Sequence, residues 1–296
     1  MEGATDIFIR MQPRLLGVAY RMLGSLAEAE DVVQDVWLGW NEAESSQVAN
    51  PEAWLVTATT RRSIDRLRLA RNDREHYVGI WLPEPILTEE SPATPEELQE
   101  ASSDLSIAFL TVLERLAPEA RAAFLLREVL DADYSEIART LDKSEAACRQ
   151  IVHRAKSQLR EERPRYVVSA ESHQRLMRRF TEAWSNADFK TMKEMMAESA
   201  TLLGDGGGIV TSFPKPLVGG QRIAQLLFAS TLRHKHDLRI ELASINGRLG
   251  VLRYFGDELE SAQSYDTDGE RIVQIYVQRN PEKLRRIAAH HASPLN

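Results

Sequence analysis

The chain has 296 residues, enough for about two domains, each with its own core. With 43% hydrophobic and 27% charged residues it reads as an ordinary globular protein, and no run of about 18 apolar residues offers a membrane span. A net charge of -7 and a pI near 5.6 argue against a protein that coats nucleic acid by bulk charge. The first residues, MEGATDIFIR, lack the basic-then-apolar pattern of a secretory leader, and one cysteine, Cys148, cannot form an internal disulfide. Both features predict a cytoplasmic location.

The first third reads as helices. Phe8, Met11, Leu15, Leu16, Val18, Ala19 and Met22 form a helical stripe that stops near Gly24 and Ser25. A second helix follows over LAEAEDVVQDVWLGWNEA, then a polar break, ESSQVAN, and then Pro51 at the first turn of a third helix. That third helix is the basic one: Arg61, Arg62, Arg66, Arg68, Arg71 and Arg74 crowd it, interrupted only by Asp65 and Asp73. After it comes GIWLPEPIL, in which Pro83 and Pro85 fix a stiff, extended and apolar segment where a connecting linker would normally be polar. A Ser-, Thr-, Pro- and Glu-rich stretch then leads into two helices divided at Pro118 and two more divided by only Asp142 and Lys143.

From about Ser169 the pattern changes to α+β. Two helices flank an Asn-Ala-Asp turn, a third covers QRIAQLLFASTLR, and strand signals alternate with hairpin dipeptides at Asn246-Gly247 and Asp268-Gly269, predicting a mostly antiparallel sheet.

The segment from Asp133 to Arg160 carries the most information. Tyr134, Ile137, Ala138 and Leu141 keep a helical apolar face, and Ala147, Cys148, Ile151, Ala155 and Leu159 continue it after a very short turn. Two helices so joined suit a helix-turn-helix, with Ser144 as N-cap of the second helix. Arg149, Gln150, His153 and Arg154 stand on the opposite face, with Lys156 nearby; Arg and Gln are side chains that pair with phosphates and with base edges. The bland alternative is a solvated helix in an ordinary bundle. Asp142 is unusual, because glycine is commoner where such a turn needs a positive φ.

Two helical modules joined by a linker, with AEDVVQDVW, PEAWLVTATTRRSIDRLR and this helix-turn-helix in order, resemble extracytoplasmic-function sigma factors. The C-terminal region resembles SnoaL-like domains of the cone-shaped NTF2-like fold. The motifs Trp81-Leu82-Pro83-Glu84-Pro85, Asp205-Gly206-Gly207-Gly208 and Asn280-Pro281-Glu282-Lys283-Leu284 resemble the sigma-factor subgroup with such a fused extension, Glu282 standing where Asp is commoner. The resemblance implies a multidomain fold: an all-α region 2 bundle over 1–75, a linker over 76–103, an all-α region 4 helix-turn-helix over 104–164 and an α+β SnoaL-like domain over 169–296.

It also implies roles. Asp31, Gln34, Asp35 and Trp37 match positions that meet the β′ clamp helices of core RNA polymerase, while the second module meets the β flap. Ser46, Gln47, Val48, Ala49 and Asn50 match the loop that captures an unstacked base at the −10 element, and Arg61, Arg62, Arg66 and Arg68 the DNA-facing helix beside it. Ser144, Arg149, Gln150, His153, Arg154 and Lys156 fall to the −35 element. The extension is expected to regulate the sigma factor in cis by holding the apolar linker, the free protein to be a monomer, and the cone to offer a pocket open to a small ligand; no cofactor, metal or membrane is implied. Two other readings stand beside this one. A one-component regulator would couple a DNA-binding module to a ligand pocket, and a SnoaL-like enzyme would use Asp205, His290 and His291 as acid-base groups.

Overall fold

Proline, glycine and polar caps set the helix limits in the first half of the chain. In the computed structural model, which describes residues 3–42, 48–88, 105–160 and 168–292, α1 (Ala4–Leu23) ends on Gly24 in the left-handed region at φ 67°. The next helix, α2, spans Leu26–Glu42, and α3 (Pro51–Glu75) starts with proline at its first position, Asn50 Oδ1 accepting from the Ala53 N–H. After α4 (Ile107–Leu113) come α5 (Pro118–Glu128), α6 (Tyr134–Leu141) and α7 (Glu145–Arg160). Among the described residues no helix is long and apolar enough to cross a membrane.

The chain divides into two units. Met1–His76 and Leu110–Arg163 form the helical one, in which the two helical modules pack together; Tyr77–Phe109 and Pro164–Asn296 form the other, which therefore includes the linker. In the helical unit Leu15, Met22, Leu23, Val36, Trp40 and Leu55 are buried to 1% exposure or less. A smaller cluster, Ala123, Leu126, Ile137, Cys148 and Val152, fills the helix-turn-helix and takes in Val56 of α3. Asp133 opens α6 with a capping box, its Oδ1 accepting from Glu136 N–H while the Glu136 carboxylate accepts from Asp133 N–H.

The second unit is built on six strands: β1 (Met196–Asp205), β2 (Leu217–Val218), β3 (Leu238–Ile245), β4 (Arg248–Phe255), β5 (Glu258–Thr267) and β6 (Ile272–Gln278). Their order is β2-β1-β6-β5-β4-β3, antiparallel except for β1 beside β6, and the sheet stays open. Because side chains alternate along a strand, each face has its own core. On one face α8 (Ala170–Ser185), α9 (Phe189–Glu194) and α10 (Gly220–Arg233) contribute Phe180, Trp184, Met192 and Ile223 against Leu202, Val251, Tyr265 and Ile275. On the other face lies α11 (Pro281–Ala292), with Leu284 and Ile287 against Leu252, Tyr254 and Ala262. Sequence reasoning had named Asn280–Leu284 as a motif without seeing that it opens a helix.

Asp142, in the short helix-turn-helix turn, has φ 52°. Asp142→Gly is therefore expected to raise unfolding stability, by up to about 1 kcal/mol, because glycine adopts this conformation without a Cβ penalty. Equilibrium denaturation of the two full-length chains measures it; a loss of stability would mean that the Asp142 side chain outweighs its backbone strain.

Candidate functional site

Asp205 ends β1 with no exposed surface, and a buried carboxylate needs partners. It has five. Its Oδ1 accepts from the Tyr77 hydroxyl at 2.7 Å and the Gly207 N–H at 2.9 Å. Its Oδ2 accepts from the Leu82 N–H at 2.9 Å, Gln278 Nε2 at 3.2 Å and Lys283 Nζ at 2.8 Å. Two of these donors belong to the linker, so its start is drawn onto the sheet face that α11 also covers. Burial first, and then the hydrogen bond to Asp205, pushes the Tyr77 hydroxyl well above the usual phenol range and keeps it a donor.

Around the carboxylate the linker is locked by packing and by further hydrogen bonds. Leu82 is 1% exposed and packs with Ile80, Leu203, Ile107, Ala108 and Tyr276. Its carbonyl accepts from Lys283 Nζ at 2.7 Å, and the Lys283 ammonium sits 4.2 Å from the centroid of the Trp81 ring and 4.9 Å from that of Tyr77. Pro83, Glu84 and Pro85 are buried as well, Glu84 facing Arg286 at 3.6 Å. Asn280 donates to the Tyr77 hydroxyl at 3.0 Å and caps α11 by accepting from the Glu282 N–H. Gly207 has φ 65°, and a Cβ there would lie 2.4 Å from Asn280 Nδ2; one on Gly208, at φ 72°, would press on Val78 at 3.1 Å. These glycines thus make a turn and also a contact surface.

A second grip lies at the β3–β4 hairpin. Asn246, fully buried at φ 51°, accepts from the Ile86 N–H through Oδ1 at 3.0 Å, donates from its own N–H to the Ile86 carbonyl, and donates through Nδ2 to the Leu105 carbonyl at 2.9 Å. Leu87 forms a bridge with Ile245, and the Thr88 N–H donates to the Ser244 carbonyl, so the linker adds briefly to the edge of β3.

In the helical unit, Arg149, Gln150, His153 and Arg154 are all exposed on one side of α7, opposite buried Cys148, Val152, Ala155 and Leu159. Arg149 pairs with Glu145 at 2.8 Å and lies over the Tyr134 ring. Residues 7–73 match the family model of sigma-70 region 2, and residues 106–159 that of sigma-70 region 4. Over 275 residues the chain is 32% identical to the ECF RNA polymerase sigma factor SigJ of Mycobacterium tuberculosis, covering 91% of this chain and 86% of that one. The chain belongs to the extracytoplasmic-function sigma factors. It is also 30% identical over 212 residues to SigG of the same species, covering 63% of this chain and 57% of that one. The crystal structure of M. tuberculosis SigJ superposes with a TM-score of 0.76 at 28% identity, covering 99% of this chain and 100% of that one. This sigma factor is therefore matched through its C-terminal unit, a mixed α/β domain with an open sheet, and not only through regions 2 and 4.

The remaining predicted residues of this sigma factor fall in several places. In region 2, Gln34 and Trp37 line a groove of about 480 Å³ between α1 and α2 with Phe8, Ile9 and Leu16. Asp31 and Asp35 instead turn toward α3 and pair with Arg66 at 3.5 Å and Arg62 at 3.7 Å. Arg68 pairs with Asp65 and Glu119, and Arg61 donates to backbone carbonyls of α6. Of the expected base-capturing loop, Ser46 and Gln47 lie outside the described residues, Val48 is half-buried, Ala49 is exposed, and Asn50 caps α3. In region 4, Ser144 caps α7, accepting from the Ala147 N–H. Lys156 pairs with Glu128 at 2.7 Å and lines a groove with Phe124 and Leu159 between α5 and α7. In the C-terminal motif, Pro281 starts α11, Leu284 is buried, and Glu282 is exposed. The side chains of His290 and His291 lie outside the described residues.

Tyr77, Gln278 and Asn246 were missed by sequence reasoning. Only Asn246 left a signal, and Asn246-Gly247 reads there simply as a hairpin turn.

Removing one member of a buried pair leaves the other uncompensated. Asp205→Ala should therefore cost about 3–5 kcal/mol in chemical unfolding of the C-terminal unit, while Glu282→Asp at an exposed position should change it by less than about 0.5 kcal/mol. Equal, small effects would mean that the carboxylate does not hold this region.

Proposed function

We propose that this sigma factor meets core polymerase through α2 and the α1–α2 groove, reads the −10 region with α3 and the loop before it, reads the −35 region with α7, and is restrained in cis by its C-terminal domain through the linker. The observation that carries the last point is Asp205, a buried carboxylate whose donors include the Tyr77 hydroxyl and the Leu82 N–H. The physical reason is reach. The two promoter elements lie ~25 base pairs apart, roughly 85 Å at 3.4 Å per step. The 33 residues Tyr77–Phe109 would span at most about 110–120 Å when fully extended. With residues 77–88 and 105–109 held on one domain, both ends of that tether are pinned and its reach is unavailable. Release of the linker from Asp205 and Asn246 restores it.

On this reading α7 offers Arg149, Gln150, His153 and Arg154 to the major groove, its N-terminal turn fixed by Ser144. Lys156, engaged with Glu128, lies on the flank of the same helix and would exchange that pair for a backbone phosphate. The exposed apolar residues Ile9 and Leu38, 60% and 54% exposed, suit a region 2 face that another protein covers. The C-terminal domain acts as a binding and regulatory module and not as an enzyme. Both Asp205 oxygens already accept hydrogen bonds from its own chain. On the helix-covered face, buried Tyr265, Gln263 and Ser261 bond to one another. The protein works in the cytoplasm with polymerase, as a monomer when free.

Two measurements test this. Promoter binding by the full chain with and without core enzyme separates the sigma reading, which requires core, from a one-component regulator, which binds duplex DNA alone. In that assay Arg149→Ala and Arg154→Ala should each weaken −35-dependent binding by about 1–3 kcal/mol for a bidentate base contact; no change in either would move the recognition surface off α7. Amide exchange across residues 79–88 should be slow in the free protein and at least tenfold faster in the core complex. Unchanged protection would mean that the linker is never released.

A further inference from the structure

We propose that Glu145, at the first position of α7, is a specificity-determining residue of the −35 reader: its carboxylate accepts from a cytosine amino group in the major groove, beside a guanine read by Arg149, and rejects thymine and guanine at that place. The inference rests on the assignment of α7 to the −35 region made above and adds a base contact from a residue outside the cationic set.

Helical spacing puts Glu145, Arg149 and His153 in one column along α7 and Ala146, Gln150 and Arg154 in the next, since residues four apart lie above one another. All six are exposed, while Cys148, Val152, Ala155 and Leu159 on the other side are buried. The outward face therefore begins a full turn before Arg149. In a helix-turn-helix the N-terminal residues of the second helix are the ones that meet base edges, so Glu145 enters the groove with Arg149. Ser144 fixes this end of the helix, its Oγ accepting from the Ala147 N–H at 3.2 Å, and the small Ala146 side chain leaves room for close approach.

The carboxylate is aimed by the cation it pairs with. Arg149 Nη2 donates to Glu145 Oε2 at 2.8 Å, and the Arg149 guanidinium lies 4.8 Å from the centroid of the Tyr134 ring. That ring also carries Arg127 at 5.3 Å and packs against the apolar cluster of the helix-turn-helix, so it is a fixed support. A guanidinium has five N–H donors in a planar fork; one edge can stay on Glu145 while another takes O6 and N7 of guanine. With side chains 55% and 47% exposed, the pair contributes little to stability, and its effect is on orientation.

A carboxylate brought to a polyanion needs a reason. Near phosphates it costs affinity, and it can only accept hydrogen bonds. In the major groove guanine presents N7 and O6 and thymine presents O4, all acceptors, whereas cytosine presents the N4 amino donor. Adenine is intermediate, its N6 amino group standing beside the acceptor N7. Glu145 therefore lowers overall affinity and raises selection, a penalty on wrong bases set against the attraction that Arg149 and Arg154 supply. An acidic residue in the first turn also suits the helix dipole, but that contribution is indifferent to the base beneath it, so the two effects are separable.

The test is selection from a pool of promoter duplexes randomised across both elements, bound by holoenzyme made from core polymerase and the full chain and then sequenced. With the unaltered chain we expect one upstream position that prefers guanine and, next to it on either strand, one at which cytosine is enriched at least fivefold over thymine and guanine. Arg149→Ala should remove the first preference. Glu145→Gln should move the second from cytosine to adenine, because a carboxamide pairs with N6 and N7 of adenine together, and Glu145→Ala should make that position indifferent to base. A gained preference cannot come from a folding defect, so the glutamine variant decides the matter even where the alanine variant is destabilised. Cytosine enrichment that survives the glutamine substitution overturns the proposal. A loss spread evenly over all positions overturns it too, since Glu145 would then only steady the helix. If Arg149→Ala leaves every upstream preference as it was, the assignment of α7 fails and the proposal falls with it; a failure at Glu145 alone leaves that assignment standing.

Discussion

The hydrogen-bonded burial of Asp205 is the constraint on which the C-terminal unit depends. A carboxylate removed from water is costly unless its lone pairs are satisfied, and here the satisfying donors come from both the linker and the domain. Tyr77 and Leu82 supply two; the turn after β1, strand β6 and helix α11 supply Gly207, Gln278 and Lys283. Neither component is complete without the other. A domain that lost its linker would keep the charge and lose two donors, and would expose the apolar seat of Leu82, a side chain whose burial is worth about 1.5–3 kcal/mol. The linker is thus part of this domain's core and not a tether that happens to lie against it.

The second grip differs in kind. Asn246 holds residues 86 and 105 through neutral hydrogen bonds, each of a size that typically contributes about 0.5–1.5 kcal/mol net. The first grip includes an ion pair, a Lys283 ammonium over two aromatic rings and a fully buried leucine. Release is therefore easier from the Asn246 end, and a partly released linker would still be held at residues 77–82. The same left-handed backbone that makes Asn246 suitable for a tight hairpin also turns its carboxamide toward the linker, so one residue serves the turn and the contact.

How much of this was legible in the sequence follows from range. Helices α1 to α7 were readable because their signals are local: apolar spacing, Pro51, Pro118 and the Ser144 cap. The two hairpin dipeptides were readable for the same reason. The motifs around Trp81, Asp205 and Asn280 were recognised as belonging together by resemblance, and the structure joins them. What joins them was not visible, because Tyr77 and Gln278 lie far from Asp205 in sequence and look like an ordinary linker tyrosine and an ordinary strand glutamine. Trp81 drew attention by its size, yet Leu82 is the deeper residue, since the aromatic ring lies partly exposed under the Lys283 ammonium. Helix α11 went unseen because few apolar residues, notably Leu284 and Ile287, mark its buried side.

The arginines of α3 show why a basic helix can sit in an acidic chain without binding nucleic acid by charge alone. Arg62 and Arg66 face Asp35, Glu28 and Asp31 of α2 through pairs whose side chains are mostly well exposed, and such pairs are typically worth 0–1 kcal/mol each. They can be exchanged for phosphates at little expense, and the exchange would leave Asp31 and Asp35 open to a cationic partner protein. Arg61 and Arg121 are different, because both donate to backbone carbonyls and Arg121 is buried with Glu114. Freeing them requires helices to part, not merely ions to swap. The same surface therefore contains two classes of restraint, one that a field of phosphates can displace and one that only a change in packing can relieve.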